Sequence, residues 1–305
     1  PPRTIDAVCQ ALSDLEHEVA RLGGAFELLR NPKRLTGIEL VFNIAEGTHG
    51  RCREAWVPNL LELHGVPWVG SDPLALSLGL DKVTSKQLAM ASDVPTPRWM
   101  SLQHPADLPP SVPLRFPVIV KPRAQGSGIG IDPGAVVHDD EALRHRVRRL
   151  FARWPEPLLI EEFVPAGELT VLLIGNDPPT AYPAIQRPID PATRLSYHVV
   201  HRTTEGAWET PLTLTESLDA TARRLAQTMF ETLGCWDTAR VDFRVDAQHR
   251  LWFLEINPLP SFDPEGTFGL LAEHLGVAYA DLIGRILDAA LLRQSKIQNL
   301  KSKIS

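Results

Sequence analysis

Residues 238–245 (TARVDFRV) and 250–256 (RLWFLEI) each alternate apolar with polar or bulky side chains, and a polar connection from Asp246 to His249 separates them. That pattern predicts a β-hairpin. Successive side chains on a strand point to opposite faces. Val241, Phe243 and Val245 therefore share one face, and Arg240, Asp242 and Arg244 share the other. On the return strand Trp252, Leu254 and Ile256 fall together, opposite Phe253, Glu255 and Asn257. Pairing Asp246 with His249 sets Asp242 across from Phe253 and Arg240 across from Glu255. Arg240, Asp242, Glu255 and Asn257 then gather on one face, provided that the turn is even and no bulge intervenes. Two carboxylates and a carboxamide are the oxygen donors that Mg²⁺ takes when it also holds phosphates. A guanidinium beside them suits a phosphoryl or acyl-phosphate charge. On a merely solvated sheet face the same residues would form salt bridges.

The rest of the chain alternates strand and helix signals. Helices are expected over 4–22, 54–63, 81–92 (capped by Asp81), 139–154, 217–233 (closed by Gly234), 268–275 and 279–292. Strands are expected over 38–42, 98–102, 116–121, 158–163, 169–175 and 180–186, and 293–305 reads as a loosely ordered basic tail. The order at the start predicts a parallel α/β unit. The strand that normally opens such a unit is absent and the chain begins at Pro1-Pro2, so a preceding segment is expected. At 305 residues the chain suffices for two or three domains. No run is long and apolar enough for a membrane span. The net charge of −6 gives no general attraction to nucleic acid or anionic lipid. Cys9, Cys52 and Cys235 are scattered, which argues against a disulfide framework and for a reducing compartment, the cytoplasm.

Two further segments could serve a nucleotide, although taken alone the first also fits a flexible surface hairpin and the second fits a plain charged hinge better. The apolar run 116–121 ends in Lys121 and leads into Gly126-Ser127-Gly128-Ile129-Gly130, whose glycines let backbone N–H groups wrap a phosphate. It is neither a P-loop nor a Rossmann fingerprint. The run 159–168 (LIEEFVPAGE) offers Glu161 to an exocyclic amine, Glu168 to ribose hydroxyls, and backbone beside Phe163 to a base. Lys82, at the head of its helix, is by itself an ordinary surface lysine, and His198-x-x-His201 is too sparse for zinc.

Together these segments resemble the ATP-grasp superfamily and, within it, the D-alanine–D-alanine ligase family. The likeness runs over 41–291 and is dense in VFNIAEG (41–47), LLELHGVPWVGSDPLALSLGLDK (60–82), FPVIVKP (116–122), IEEFVPAGELTV (160–171), ARVDF (239–243) and LEINPLP (254–260). It implies an α/β chain with α+β ATP-grasp lobes: an N-terminal parallel α/β domain (1–72), a central lobe (73–160) and a C-terminal lobe (161–305). ATP would lie between the last two. Lys82 and Lys121 look like the phosphate-binding lysines, and Gly126 and Ser127 like part of the closing loop. Glu161 looks like the adenine-amine acceptor, Phe163 and Val164 like its backbone contacts, and Glu168 like the ribose acid. Asp242, Glu255 and Asn257 look like ligands of two Mg²⁺ ions, with Mn²⁺ as a substitute. Arg240, with Ser127, is the catalytic candidate. The implied reaction joins a small carboxylate to an amine through an acyl phosphate. A homodimer is compatible with the resemblance, the first helix being the candidate face.

Departures concern the substrates. Such ligases have two serines in the glycine loop, where this chain has Ser127-Gly128, and a Lys-Tyr pair where it has Val200-His201. Their carboxylate-binding serine is replaced by Gly266, in a loop carrying Ser261, Asp263 and Glu265. Acids there would disfavour a carboxylate, so an acceptor other than D-alanine is expected. Glu46 and His201 are candidate substrate contacts. A D-alanine–D-alanine ligase proper and a non-catalytic ATP-binding regulatory or scaffold protein are the alternatives.

Overall fold

The computed structural model describes residues 2–196 and 208–302, with side chains described to 299. Helix α1 (Pro2–Asp14) is followed by α2 (Ala25–Arg30), β1 (Val41–Phe42), α3 (Trp56–Leu63), β2 (Trp68–Val69), α4 (Pro73–Leu80) and α5 (Lys82–Ala91). Then come β3 (Trp99–Leu102), β4 (Val118–Pro122), β5 (Val136–Val137), α6 (Asp140–Arg153) and β6 (Leu158–Glu162). The last part holds β7 (Gly167–Ile174), β8 (Thr180–Ala181), β9 (Ile185–Arg187), α7 (Glu216–Leu233), β10 (Thr238–Val245), β11 (Leu251–Asn257), α8 (Thr267–Leu275) and α9 (Tyr279–Ser302).

Two antiparallel sheets dominate. The smaller runs β3-β6-β4-β5, and α6 packs its buried Leu143, Val147 and Leu150 against it. The larger runs β11-β10-β7-β8, with β9 also paired to β7. Its core face, including Val171, Phe243 and Phe253, is covered by α7 through Ala222, Ala226 and Met229. Helix α7 begins on the Thr215 side chain and ends at Gly234, whose φ of 66° is the left-handed conformation that glycine adopts without strain. The N-terminal parallel sheet is reduced to β1 and β2.

Several expectations need correction. The first helix stops at Asp14, eight residues before the expected end, and the turn residue Glu16 has φ 65°. Its apolar stripe is used within the chain: Val8, Ala11 and Leu12 share a core with Ile283 and Ile286 of α9. That stripe is therefore not an open dimer face. The expected strand 180–186 is two short strands, β8 and β9. The expected loose tail instead continues α9 to Ser302, and Arg293 on it is buried, donating to both Asp237 carboxylate oxygens at 3.0 and 2.7 Å and to the Trp68 carbonyl at 2.8 Å.

The hairpin register also differs. Five residues, 246–250, connect the strands, because Val245 pairs with Leu251. A bulge then follows: Phe243 opposes Phe253, but Asp242 opposes Glu255 and Arg240 opposes Asn257. The odd turn moves Leu251 and Phe253 onto the core face with Ile256. The extra residue in the bulge, Leu254, restores the original parity beyond it. Glu255 and Asn257 thus still share a face with Arg240 and Asp242, for a reason that simple alternation does not contain.

Candidate functional site

A cleft lies between the two sheets, and Lys82, Lys121, Gly126, Glu161, Phe163, Val164, Glu168, Asp242 and Glu255 line it. Asp81 caps α5 by accepting from the Val83 and Thr84 N–H groups at 3.1 Å. It also accepts from Arg123 at 2.8 Å, which ties the head of α5 to the end of β4. Lys82 is thereby aimed across the cleft, 3.0 Å from Glu255 and within 2.5 Å of the Gln125 carbonyl. From the smaller sheet, Lys121 on β4 meets Glu161 on β6 at 2.5 Å. These carboxylate and ammonium groups are almost wholly buried.

Burial pushes the Glu161 carboxyl up, but the Lys121 and Lys86 ammonium groups outweigh it and hold the carboxyl at about 2. Lys86, one turn after Lys82 on α5, is fully buried and lies 2.8 Å from Glu161. It also donates to the Thr96 hydroxyl at 2.8 Å and to the Phe253 carbonyl at 3.2 Å. Burial brings its ammonium down to about 8 against the pull of Glu161.

On the larger sheet, Arg240 grips Asp242 through Nε and Nη2 at 2.9–3.1 Å, and the Thr170 hydroxyl donates to Asp242 at 2.6 Å. Burial raises the Asp242 carboxyl, and Arg240 and Arg187 more than offset this, leaving it below the usual carboxylate range. Asn257 Nδ2 lies 3.4 Å from Asp242. Arg244 donates to the Val164 carbonyl at 2.7 Å, approaches Glu168 at 3.3 Å and stands over the Phe163 ring. The Phe163 N–H donates to the Pro117 carbonyl.

Among the described residues no group of three or more His, Cys, Asp and Glu is assembled as for a metal ion. The donor set here is two cross-strand carboxylates, Asp242 and Glu255, with the Asn257 amide beside them. Such a set fits a hard divalent cation whose remaining ligands are phosphate oxygens and water.

The loop candidate Ser127 and the substrate candidates are more dispersed. Ser127 is exposed at the tip of its loop with φ 51°, and Gly128 lines the cleft in its place. Glu46 is exposed, while Glu54 nearby is half-buried. Burial, with Glu46 and Glu255 reinforcing it, lifts the Glu54 carboxyl to about 7. His201 lies outside the described residues. Ser261, Asp263 and Gly266 lie on the loop before α8. Arg3 bridges Asp263 and Glu265 at 2.7 Å each. The acids expected to repel a carboxylate there are thus partly neutralised, a contact between chain ends that no local pattern announces. Gly269 follows, where a Cβ would lie 1.6 Å from the Pro264 carbonyl oxygen, so the loop folds directly onto the helix backbone.

Sequence analysis gives Lys86 and Arg187 no place in the site, and Arg244 only its position on the face of Arg240 and Asp242. The i, i+4 spacing of Lys82 and Lys86 was the available signal for the first. For the two arginines, alternation on a buried strand was the only one.

The family model described as "D-ala D-ala ligase C-terminus" matches residues 89–288. A D-alanine–D-alanine ligase of Syntrophotalea carbinolica is 30% identical over 96% of this chain and 92% of its own length. An uncharacterised protein of Sinorhizobium fredii is 32% identical over 94% of this chain and 87% of its own. Among solved structures, a D-alanine–D-alanine ligase of Bacillus anthracis in complex with ATP superposes with a TM-score of 0.76 at 21% identity, covering 97% of this chain and 94% of that one. The last likeness speaks for the fold.

Proposed function

The chain belongs to the D-alanine–D-alanine ligase family of ATP-dependent carbon–nitrogen ligases, and from that premise we propose that its cleft activates a small carboxylate as an acyl phosphate and passes it to an amine other than D-alanine. The observation that carries the reading is the convergence of Lys82, Lys121, Glu161, Glu168, Asp242 and Glu255, from both sheets, on one cleft.

The roles follow from chemistry. Glu161, held ionised, accepts the adenine amine. The Phe163 N–H and the Val164 carbonyl are already engaged, which leaves the Phe163 carbonyl and the Val164 N–H to meet the ring edge. Glu168 accepts from the ribose hydroxyls. Lys82 and Lys121 bind phosphate oxygens, and the loop at Gly126 and Ser127 covers them. Asp242, Glu255 and Asn257 would hold Mg²⁺, one ion or two, which when bound neutralises charge on the phosphates. Arg240 stabilises the transferring phosphoryl and then the acyl phosphate. Water must be excluded from that intermediate, which is the task of the loop. Glu46 and Glu54 stand at the cleft's N-terminal side as candidates for a substrate ammonium, and Ser261, Asp263 and Gly266 shape the acceptor pocket.

A panel of amino acids and amines tested for phosphate release, with mass spectrometry of the products, decides the matter. ADP, phosphate and an amide formed only with both an acid and an amine present support the reading. ATP binding with no turnover on any pair overturns it and leaves a nucleotide-binding scaffold. Phosphate release with D-alanine as sole substrate supports instead a D-alanine–D-alanine ligase proper, which the 30% identity favours.

A further inference from the structure

Arg187 stands on β9 directly opposite Glu168 of β7 and is 5% exposed. Its Nε is 3.7 Å from Glu168 Oε1, and its Nη2 is 3.8 Å from Asp242 Oδ1 and 3.4 Å from the Thr267 hydroxyl. Each of those carboxylates is held more closely by a different guanidinium. Arg244 is 3.3 Å from Glu168, and Arg240 is 2.9 Å from Asp242. Arg187 therefore stands beside two carboxylates whose nearer partners are other arginines. Thr267 opens α8 and ends the loop 258–266. Arg187 thus bridges the carboxylate of the metal-type set and the loop that shapes the acceptor pocket.

The chemistry beside Arg187 points the same way: Asp242, which it approaches, belongs to the oxygen-donor set that a divalent cation and phosphate oxygens would share. Planar guanidinium groups recognise phosphoryl oxygens through paired N–H donors.

We propose that Arg187 is a catalytic residue of phosphoryl transfer, contacting the migrating group together with Arg240. The inference rests on the ligase reading above. An oxygen of the donor carboxylate bonds to the γ-phosphorus as the bond from that phosphorus to the β–γ bridging oxygen breaks, and the electron pair leaves with ADP. The amine then bonds to the acyl carbon, the carbon–oxygen bond to phosphate breaks, and the amine's surplus protons pass to phosphate and water. Arg187 donates hydrogen bonds to the equatorial oxygens, where negative charge concentrates in a loose transition state. It gives up no proton.

The test measures binding of Mg·ADP, and of Mg·ADP with aluminium fluoride as the mimic of the migrating group, by calorimetry on the full chain. Arg187→Gln should hold ADP within about threefold of the unaltered chain and weaken the fluoride complex at least about tenfold. Arg187→Lys should restore part of that loss, since it keeps the charge and loses the fork. Should the Gln variant fail to fold, the Lys variant alone decides, by weakening the fluoride complex more than ADP. Equal weakening of both complexes, or of neither, overturns the proposal. If the unaltered chain binds neither ADP nor the mimic, the ligase reading falls, and this proposal with it.

Discussion

Asp242 has the most exacting position in the cleft. It is ionised while nearly sealed from water and accepts from Thr170 and Arg240, and on the proposed reading it would also offer oxygen to a cation. Asp242→Asn keeps the shape and removes the charge. It should lower turnover at least about a hundredfold, as should Glu255→Gln, because a hard divalent cation loses an anionic ligand. Full turnover by either variant removes the metal assignment. Glu161 makes a different prediction, in pH. Its carboxyl lies near 2 in the folded chain against an ordinary 4.5. A depressed folded value gives stability that is complete above the unfolded value and is lost as pH falls toward the folded one. Acid unfolding of the intact chain should therefore steepen between about pH 4.5 and pH 2, and Glu161→Gln should flatten that slope. Chemical denaturation at a series of pH values checks it, and identical slopes would sink the assignment. Both residues were legible in the sequence because acids in apolar strands conflict with burial and so draw notice. Lys86, Arg187 and Arg244 were not, since their burial is decided by strands and helices distant in sequence.

At the scale of elements, the hairpin shows how residues can share a face for a reason other than the simple alternation that predicts it. An even turn and a regular ladder were expected, and the chain has a five-residue turn and a bulge. Each changes the parity of the return strand, and together they restore it at Glu255. Turn length is weakly coded in DAQHR (246–250), and the bulge is held from outside the hairpin. The Phe253 N–H donates to the Pro95 carbonyl, while its own carbonyl accepts from Thr96 and Lys86. No local pattern contains those contacts. Most helices and strands were legible from periodicity, with ends off by a residue or two. The failures lie at α1 and α9, which pack on each other, and at the short elements α2, β2, α4, β5, β8 and β9, too brief to show a period. Helix α9 carries the next prediction. Asp237 is wholly buried and receives Arg293, the Asn176 amide and the Gly70 N–H. Arg293→Ala leaves that carboxylate without its cation. It should cost about 3–5 kcal/mol in chemical denaturation. A loss below about 1 kcal/mol would mean that the last turns of α9 do not hold the fold.

At the scale of the molecule, the cleft lies where two sheets with separate cores face each other, and polar contacts such as Arg244 to the Val164 carbonyl join them. On the proposed reading, a nucleotide seated there would touch both sheets, with its base edge on β6 and its phosphates between β4 and β10. Binding to the folded chain alone stabilises it by mass action, by about 2.7 kcal/mol at a hundred times the dissociation constant. For a chain of this size that is a rise of a few degrees in melting temperature. Four melts separate the contributions: no ligand, Mg²⁺ alone, ATP alone, and both. The two-sheet arrangement predicts that Mg²⁺ alone does little, because Arg240 and Lys82 already hold the carboxylate oxygens. It predicts that ATP with Mg²⁺ exceeds ATP alone, because phosphate draws those cations away and frees oxygen for the metal. In Asp242→Asn the increment due to Mg²⁺ should shrink while that due to ATP persists. Equal shifts with and without Mg²⁺ in the unaltered chain would show that the cleft binds nucleotide without a shared cation, and the acyl-phosphate chemistry would then lose its support.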